Sequence, residues 1–142
     1  MNEQILCELN GQVTPEEIIA VRENPSGDEE LWQRCLRESL CVVTARDRVS
    51  NQLLGVGFLV GNSRHASIVD LSVHSTVRKN GIGGRMVDEL VSFAKNKGIR
   101  YFGLTYDKGS PWLKRFYERH GFQSIDFAMW EKDSLAGFNQ GT

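Results

Sequence analysis

Three glycines stand close together in the stretch VRKNGIGGRM, and basic side chains flank them. The glycines are Gly81, Gly83 and Gly84, and the flanking arginines are Arg78 and Arg85. The first N–H groups of a helix have no intrahelical acceptor, and the helix dipole favours an anion beside them. Because glycine has no Cβ, a phosphate or pyrophosphate could approach this backbone closely. A plain strand–helix connector is the alternative interpretation, since short glycine motifs also match by chance.

Two known phosphate-binding loops do not match this spacing. A dinucleotide fingerprint needs G-x-G-x-x-G, and Met86 stands where the third glycine belongs. A Walker loop needs G-x-x-x-x-G-K followed by Ser or Thr, and the chain contains no such run. The turn therefore predicts an anion site of another kind.

The pattern that does match is R-x-x-G-x-G, from Arg78 to Gly83, between a hydrophobic strand and an amphipathic helix. It resembles the acyl-CoA pyrophosphate loop of the GNAT family of acetyl-CoA-dependent N-acetyltransferases, whose pattern is Gln/Arg-x-x-Gly-x-Gly/Ala. The segment WLKRFYERHGF, residues 112–122, is similar to a later part of the same family, where a helix ends in a tyrosine-containing turn. The motifs cover about residues 68–122, and ASIVDLSVHSTVRKNGIGGRM further resembles small bacterial single-domain members.

The resemblance implies that acetyl-CoA is the cosubstrate and that its pantetheine arm lies along the strand DLSV. Backbone groups of Leu71 and Val73 would bond this arm, as an added strand bonds a sheet edge. The backbone from Arg78 to Arg85 would receive the pyrophosphate, while the side chains of Arg78 and Lys79 could instead be ordinary solvated charges. The implied cofactor-binding residues are Leu71, Ser72, Val73, Arg78, Lys79, Asn80, Gly81, Ile82, Gly83, Gly84, Arg85 and Ser110.

Tyr117 is the implied catalytic residue. In the family a tyrosine at this place lies near the thioester sulfur, where a phenol can protonate the departing thiolate. The alternative is that Tyr117 packs in the core beside Phe116. Ser110 stands where the family often has an asparagine that contacts the cofactor; its hydroxyl could do part of that work or cap the helix ahead of Pro111.

Asp70 is the second catalytic candidate, because a carboxylate inside so apolar a strand is unusual. The acceptor amine arrives charged and must lose a proton before it attacks, so a general base is needed. By the strand period of two, Asp70 shares a face with Ser72 and His74 unless a bulge intervenes. Asp70 could therefore be the base, an acceptor contact or a structural hydrogen-bonding partner.

The elements that must position these residues follow from hydrophobic periodicity and capping signals. Thr14 and Glu17 fit a capping box around Pro15. Strands are predicted at residues 4–9, 40–47, 53–61, 66–74, 99–107 and within 122–132, and helices from Pro15 to about Glu23, from Ser26 or Asp28 through Leu40, from about Gly83 to Lys97, and from Ser110 to Gly121.

This order predicts a mixed α+β (α/β) fold, with about four helices on both faces of a mostly antiparallel sheet of roughly six or seven strands. A parallel crossover is expected between residues 66 and 106. The 142 residues are enough for one domain, with a core at about residues 3–132 and a loose tail at 133–142.

Charge and composition exclude several classes of function. The formal net charge of -1 gives no support to nucleic-acid or membrane-surface binding. Three cysteines without a C-x-x-C spacing predict neither a disulfide framework nor a metal site. Because we find no signal-peptide pattern and no apolar run long enough to span a membrane, a cytoplasmic location is expected.

The predicted function is direct transfer of an acetyl group from acetyl-CoA to an amine in a ternary complex. The chain has no H-E-x-x-H and no plausible Ser/His/Asp order, so metal chemistry and a covalent acyl-enzyme are not supported. Alternatives are a non-catalytic acyl-CoA-binding sensor or interaction module, and a phosphate-binding protein for another nucleotide. Glu17, Glu29 and Glu30 could attract a cationic amine or stabilise helix termini. The acceptor, the acyl chain length and the formation of a homodimer stay open.

Overall fold

A computed structural model of the protein describes residues 4–23, 27–78, 80–106 and 109–125. The chain forms two compact units, Met1–Leu104 and Thr105–Thr142. The elements of the first unit are β1 (Ile5–Leu9), α1 (Pro15–Arg22), α2 (Glu29–Glu38), β2 (Cys41–Asp47), β3 (Leu53–Gly61), β4 (His65–Val73), a short 3₁₀ turn (Ser75–Val77), α3 (Ile82–Asn96) and β5 (Tyr101–Leu104). The second unit holds α4 (Pro111–Arg119).

The five described strands form one sheet in the order β1-β2-β3-β4-β5. The first three pairings are antiparallel, and β4 pairs with β5 in parallel. The mixed, mostly antiparallel sheet and its parallel β4–α3–β5 connection are therefore confirmed. The described residues supply five of the six or seven predicted strands. Residues 122–125 are irregular, and the rest of the expected final strand region, residues 126–132, lies outside the described part of the chain.

Helices cover both faces of the sheet in the first unit. The buried side chains of Ile18 and Val21 in α1 share a core cluster with Val56 of β3. Gly55 precedes Val56 in the same strand, and a Cβ there would lie 2.9 Å from the sulfur of Met86 in α3. Because neighbouring strand residues point to opposite faces, α1 and α3 lie on opposite sides of the sheet.

Helix α1 is fixed at its first turn by an ion pair with the sheet. The capping box is present, with Glu17 N donating to Thr14 Oγ1 at 3.2 Å and Thr14 N donating to Glu17 Oε1 at 3.0 Å. The guanidinium of Arg46 in β2 donates to both oxygens of Glu17, at 2.7 and 2.9 Å. Arg46 also donates to the carbonyls of Gln12 and Asn51. This buried arginine therefore ties α1 and two loops to β2.

Asp28, one of the two predicted starting residues, caps helix α2: its carboxylate accepts from Leu31 N at 3.1 Å. Ser26, the other, lies outside the described residues. The Trp32 ring of α2 stacks on Phe58 of β3, with ring centroids 5.6 Å apart. Helix α2 thus packs on the same face of the sheet as α1.

Candidate functional site

Strand β4 loses its β5 neighbour halfway along its length. The parallel pairs run from His65↔Tyr101 to Ile68↔Leu104, whereas β4 continues to Val73. On its other edge β4 stays paired with β3 as far as Val73↔Gly55. Within the described residues, the second half of β4 therefore presents one edge that has no strand partner. An edge of this kind can bond an extended ligand through its backbone.

The backbone of Val73 faces this open edge. His74 N donates to Leu54 O of β3 at 2.8 Å, and amide groups alternate between the two edges of an antiparallel strand. The amide groups of Val73 therefore point away from β3. The carbonyl of Val73 already accepts a bond from Arg78 Nε at 3.1 Å, so a ligand at this edge would share or replace that contact.

A β-bulge interrupts β4 just before the open edge. Asp70 and Leu71 together oppose Gly57 of β3, because the flanking pairs are Val69↔Phe58 and Ser72↔Val56. Asp70 has a φ of 52°, a left-handed conformation that Asp tolerates better than most non-glycine residues. A Cβ at Gly57 would lie 2.5 Å from Leu71 Cδ1. Glycine at this position thus makes room for the bulged strand.

Arg22, at the end of α1, binds the bulge from the α1 face. Its Nη1 lies 3.3 Å from Asp70 Oδ1 and donates to Ser72 Oγ at 3.0 Å. The guanidinium also lies over the Trp32 ring, 5.1 Å from the centroid. Asp70 and Ser72 therefore share a partner, although the bulge interrupts the period of two on which their predicted common face depended. Arg22 could not be predicted from the sequence, because no local pattern links it to residues some fifty positions away.

The residue after Arg22 binds the turn that follows β4. Glu23 Oε1 accepts from Ser75 N at 3.0 Å, and the hydrogen bonds from Ser75 hold the pKa of the Glu23 carboxyl below its usual range. His74, predicted to share the face of Asp70, instead pairs its Nδ1 with Thr76 Oγ1 at 2.8 Å. The end of α1 therefore fastens both the bulge and the start of the glycine turn.

The glycine turn leads directly into α3. Gly81 occupies the N-cap position with a φ of 79°, which glycine adopts without steric penalty. The first intrahelical bond runs from Arg85 N to Gly81 O at 3.1 Å, so the N–H groups of Ile82, Gly83 and Gly84 precede the helical ladder. The first turn of α3 contains no acidic residue. These three donors at the positive end of a 15-residue helix form a suitable anion site.

The side chains of this turn have other contacts. Arg85 Nη1 donates to Ile5 O of β1 at 3.3 Å, and Arg78 binds the Val73 carbonyl as described above. Ile82 is buried, so only its amide could meet a ligand, and Asn80 is exposed. Lys79 lies outside the described residues. The geometry favours the backbone over the side chains as the anion-binding part.

In the second unit, Tyr117 lies among aromatic rings. Phe116, Tyr106 and Phe122 place their ring centroids 4.9, 5.8 and 6.0 Å from that of Tyr117. Burial raises the pKa of the Tyr117 phenol above its ordinary value of 10.0, so the hydroxyl keeps its proton at neutral pH. No residue of the described segments bonds that hydroxyl. Tyr117 therefore packs through its ring and retains a proton donor.

Ser110 occupies the N-cap position of α4 but its hydroxyl makes no capping bond there. The expected cap was wrong because the amide of Leu113, which the hydroxyl would bond, donates to the carbonyl of Ser110 at 3.0 Å. The hydroxyl of Ser110 is thus not used for helix capping.

Of the three glutamates predicted to attract a cationic amine, Glu17 is the one whose expected role changes with the structure. Glu17 has both oxygens bound to Arg46, so it has no free oxygen to attract an amine, whereas Glu29 and Glu30 are exposed in the first turn of α2. Over the described ranges, no group of three or more His, Cys, Asp or Glu side chains is placed to bind a metal. None of the helices in those ranges is both long enough and apolar enough to cross a membrane.

The family model described as "Acetyltransferase (GNAT) family" matches residues 8–122. The fold is similar to a GNAT family acetyltransferase from Streptococcus pneumoniae, with 20% identity, a TM-score of 0.77, and coverage of 92% of this chain and 99% of that chain. A GNAT family acetyltransferase from Elizabethkingia anophelis, solved with acetyl-CoA bound, shares 20% identity at a TM-score of 0.68, over 88% of this chain and 80% of that one.

Glucosamine-6-phosphate N-acetyltransferase from Arabidopsis thaliana is 17% identical, with a TM-score of 0.71 and coverage of 91% of this chain and 99% of that chain. At these identities the solved structures show a common fold. No curated protein sequence matches this chain.

Proposed function

Because the chain belongs to the GNAT acetyltransferase family, a family of acyl transferases, we propose that it moves an acetyl group from acetyl-CoA to an amine. The observation that carries this proposal is the open edge of β4, which leads through a glycine turn into the N-terminus of α3. An extended pantetheine arm fits the edge and a pyrophosphate fits the helix terminus. One continuous path along the backbone could thus hold both parts of the cofactor.

In this proposal the cofactor is bound chiefly by main-chain groups. Leu71 and Val73 bond the pantetheine arm, and the amides of Ile82, Gly83 and Gly84 receive the pyrophosphate. The other cofactor-binding residues that the family resemblance implies are Ser72, Arg78, Lys79, Asn80, Gly81, Arg85 and Ser110. Acetyl-CoA is the cosubstrate, and no metal takes part.

The amine attacks the thioester carbonyl directly in a ternary complex, forming a C–N bond as the C–S bond breaks. Backbone donors near Val73 stabilise the negative charge on the carbonyl oxygen. Asp70 receives the ammonium group of the acceptor or takes its proton. Tyr117, whose buried phenol is protonated at neutral pH, gives a proton to the departing thiolate.

We also propose that the protein is a single-domain enzyme of the cytoplasm. The cysteines are consistent with such a reducing compartment. Cys7, Cys35 and Cys41 are all free thiols. Burial raises the pKa of Cys7 and of Cys41 to about 11, so both stay protonated and unreactive near neutral pH.

Calorimetry with coenzyme A, ATP and NAD tests the proposed binding path. We expect coenzyme A to bind best. The variant Gly83→Asp places a carboxylate among the α3 amides, where it interacts favourably with the helix dipole but repels a phosphate. The affinity for coenzyme A should therefore fall at least about tenfold. Ser92→Asp adds the same charge at an exposed position in the middle of α3 and should leave affinity unchanged. A preference for ATP, or equal effects of both variants, would contradict the proposal.

A turnover screen separates an enzyme from a binding module. Acetyl-CoA is incubated with a panel of small amines, amino acids and peptides, and acetylated products are detected by mass spectrometry. Formation of an acetylated amine supports the transferase. Tight coenzyme A binding without product across the panel would instead favour the acyl-CoA sensor.

A further inference from the structure

Arg22 uses only part of its hydrogen-bonding capacity. Its Nη1 serves both Asp70 and Ser72, and within the described segments the other two guanidinium nitrogens contact no acceptor. A guanidinium can bind a carboxylate through two parallel N–H groups. The arginine at the β4 bulge therefore has a second edge that can bind an anionic group.

This second edge is accessible. The side chain of Arg22 is 28% exposed and that of Asp70 is 43% exposed. The guanidinium is nevertheless held in place, because one flat face lies on Trp32 and that ring stacks in turn on Phe58. Arg22 is thus a pre-positioned cation on the α1 face of the bulge.

Charges of both signs meet at this point of the sheet. Asp70 contributes a carboxylate beside the Arg22 guanidinium, and Glu23 contributes a second carboxylate on the next residue of α1. A purely cationic acceptor would be repelled by the positive charge of Arg22, and a purely anionic acceptor would be repelled by the carboxylate of Asp70. A molecule with an ammonium and an anionic group satisfies both.

We infer that the acceptor amine carries an anionic group, most simply a carboxylate as in an amino acid, and that Arg22 binds this group while Asp70 receives the ammonium. This inference rests on the proposed function, because it takes the β4 bulge as the place where the amine meets the thioester. It names the acceptor class, which the family does not specify.

The direct test compares matched acceptors with the unaltered protein. Glycine, β-alanine and 4-aminobutyrate are each paired with the corresponding amide, which keeps the amine but lacks the negative charge. We expect kcat/KM to favour the best carboxylate over its amide by at least about tenfold, since a charged hydrogen bond is lost with the amide. The ratio of kcat/KM for phosphoethanolamine to that for ethylamine, set beside the best ratio of acid to amide, shows whether a phosphate is preferred to a carboxylate.

Variants of Arg22 test whether this residue causes the preference for acceptors that carry a carboxylate. Arg22→Gln should reduce the carboxylate preference to within about twofold, mainly through KM, and Arg22→Lys should retain part of it because the charge remains. Arg37→Gln, at an exposed position in the last turn of α2, should keep the full preference. Calorimetry with coenzyme A confirms that each variant is folded and binds the cofactor.

Equal rates for acids and amides in the unaltered protein would overturn the inference and leave the transferase proposal intact. An unchanged preference in Arg22→Gln would overturn the role of Arg22. If no amine of either kind is acetylated, the inference fails, and the coenzyme A titration then shows separately whether the proposed cofactor site also fails.

Discussion

Two arginine–carboxylate pairs join helix α1 to the sheet, and they differ in every measured respect. At the first turn, Arg46 binds Glu17 through two contacts of 2.7 and 2.9 Å, with side chains 10% and 34% exposed. At the last turn, Arg22 meets Asp70 through one contact of 3.3 Å, with side chains 28% and 43% exposed. The first pair has a buried arginine whose four terminal N–H donors are all used, whereas the second pair is partly exposed and, within the described residues, leaves donors of Arg22 unused.

We propose that this difference separates a structural region from a functional one. Arg46 fills its remaining donors with two loop carbonyls, and its hydrogen bonds hold the pKa of the Glu17 carboxyl below the usual range. The Arg22 pair instead lies at a residue in a left-handed backbone conformation. Strained backbone and incompletely used charges are retained where a ligand must be met. In this proposal both ends of the helix are tied to the sheet, but among the described residues only the Arg22 end keeps donors that a ligand could use.

The largest expected loss of stability comes from breaking the pair between Arg46 and Glu17. Arg46→Met leaves Glu17 unpaired and two carbonyls without their donor, so we expect a loss of about 3 kcal/mol in the free energy of unfolding. The matched variant Arg22→Met should lose less than about 1 kcal/mol, because its pair is partly exposed. Urea unfolding at neutral pH measures both. Equal losses would show that the two pairs do not differ in structural weight.

A second variant tests the packing that accommodates the bulge. Gly57→Ala forces Leu71 to move, and we expect a loss of about 1–2 kcal/mol in unfolding free energy. Adding Leu71→Ala should make the two effects non-additive, because the clash is then removed. Gly103→Ala in β5 is the control, since a Cβ there meets nothing within 4 Å. Strict additivity in the double variant would contradict the proposed contact.

Acid should weaken the first pair selectively. The folded-state pKa of Glu17 is lowered from 4.5, chiefly by the Arg46 hydrogen bond. Its contribution is therefore complete above the unfolded-state pKa and is lost as the pH falls through the lowered folded-state value. Glu17→Gln removes this titration, so the urea midpoint should change less between pH 7 and pH 3 in the variant. If the variant kept the pH dependence of the unaltered protein, the pair between Arg46 and Glu17 would not be its cause.

The smallest expected effect concerns the strain at Asp70. Asp70→Gly should change stability by less than about 1 kcal/mol, because relief of the left-handed backbone offsets the lost ion pair. Asp70→Ala should be less stable than Asp70→Gly by about 1 kcal/mol, since alanine resists a positive φ. Thermal unfolding orders the two variants, and a more stable alanine variant would argue against strain.

The sequence predicted the local elements well. The capping box at Thr14 depends on neighbouring residues and is confirmed. Asp28, one of two predicted starts of α2, caps that helix, and α3 begins at Ile82, one residue before its predicted start at about Gly83. Arg22 was missed because its partners lie 48 and 50 positions away and are set by the packing of α1 on β4. Gly57 inside a strand was an available signal for a bulge, but the sequence alone does not show which partner strand is bulged.

The proposed reaction is acetyl transfer with Tyr117 as the proton donor. The most direct test is kcat for the acetylated amine, measured by mass spectrometry at saturating acetyl-CoA for the unaltered protein and for Tyr117→Phe. We predict equal amounts of acetylated amine and coenzyme A from the unaltered protein, and a kcat lower by about 100-fold in Tyr117→Phe, with coenzyme A affinity unchanged. Full activity of Tyr117→Phe, or bound acetyl-CoA without acetylated product from the unaltered protein, would contradict the account.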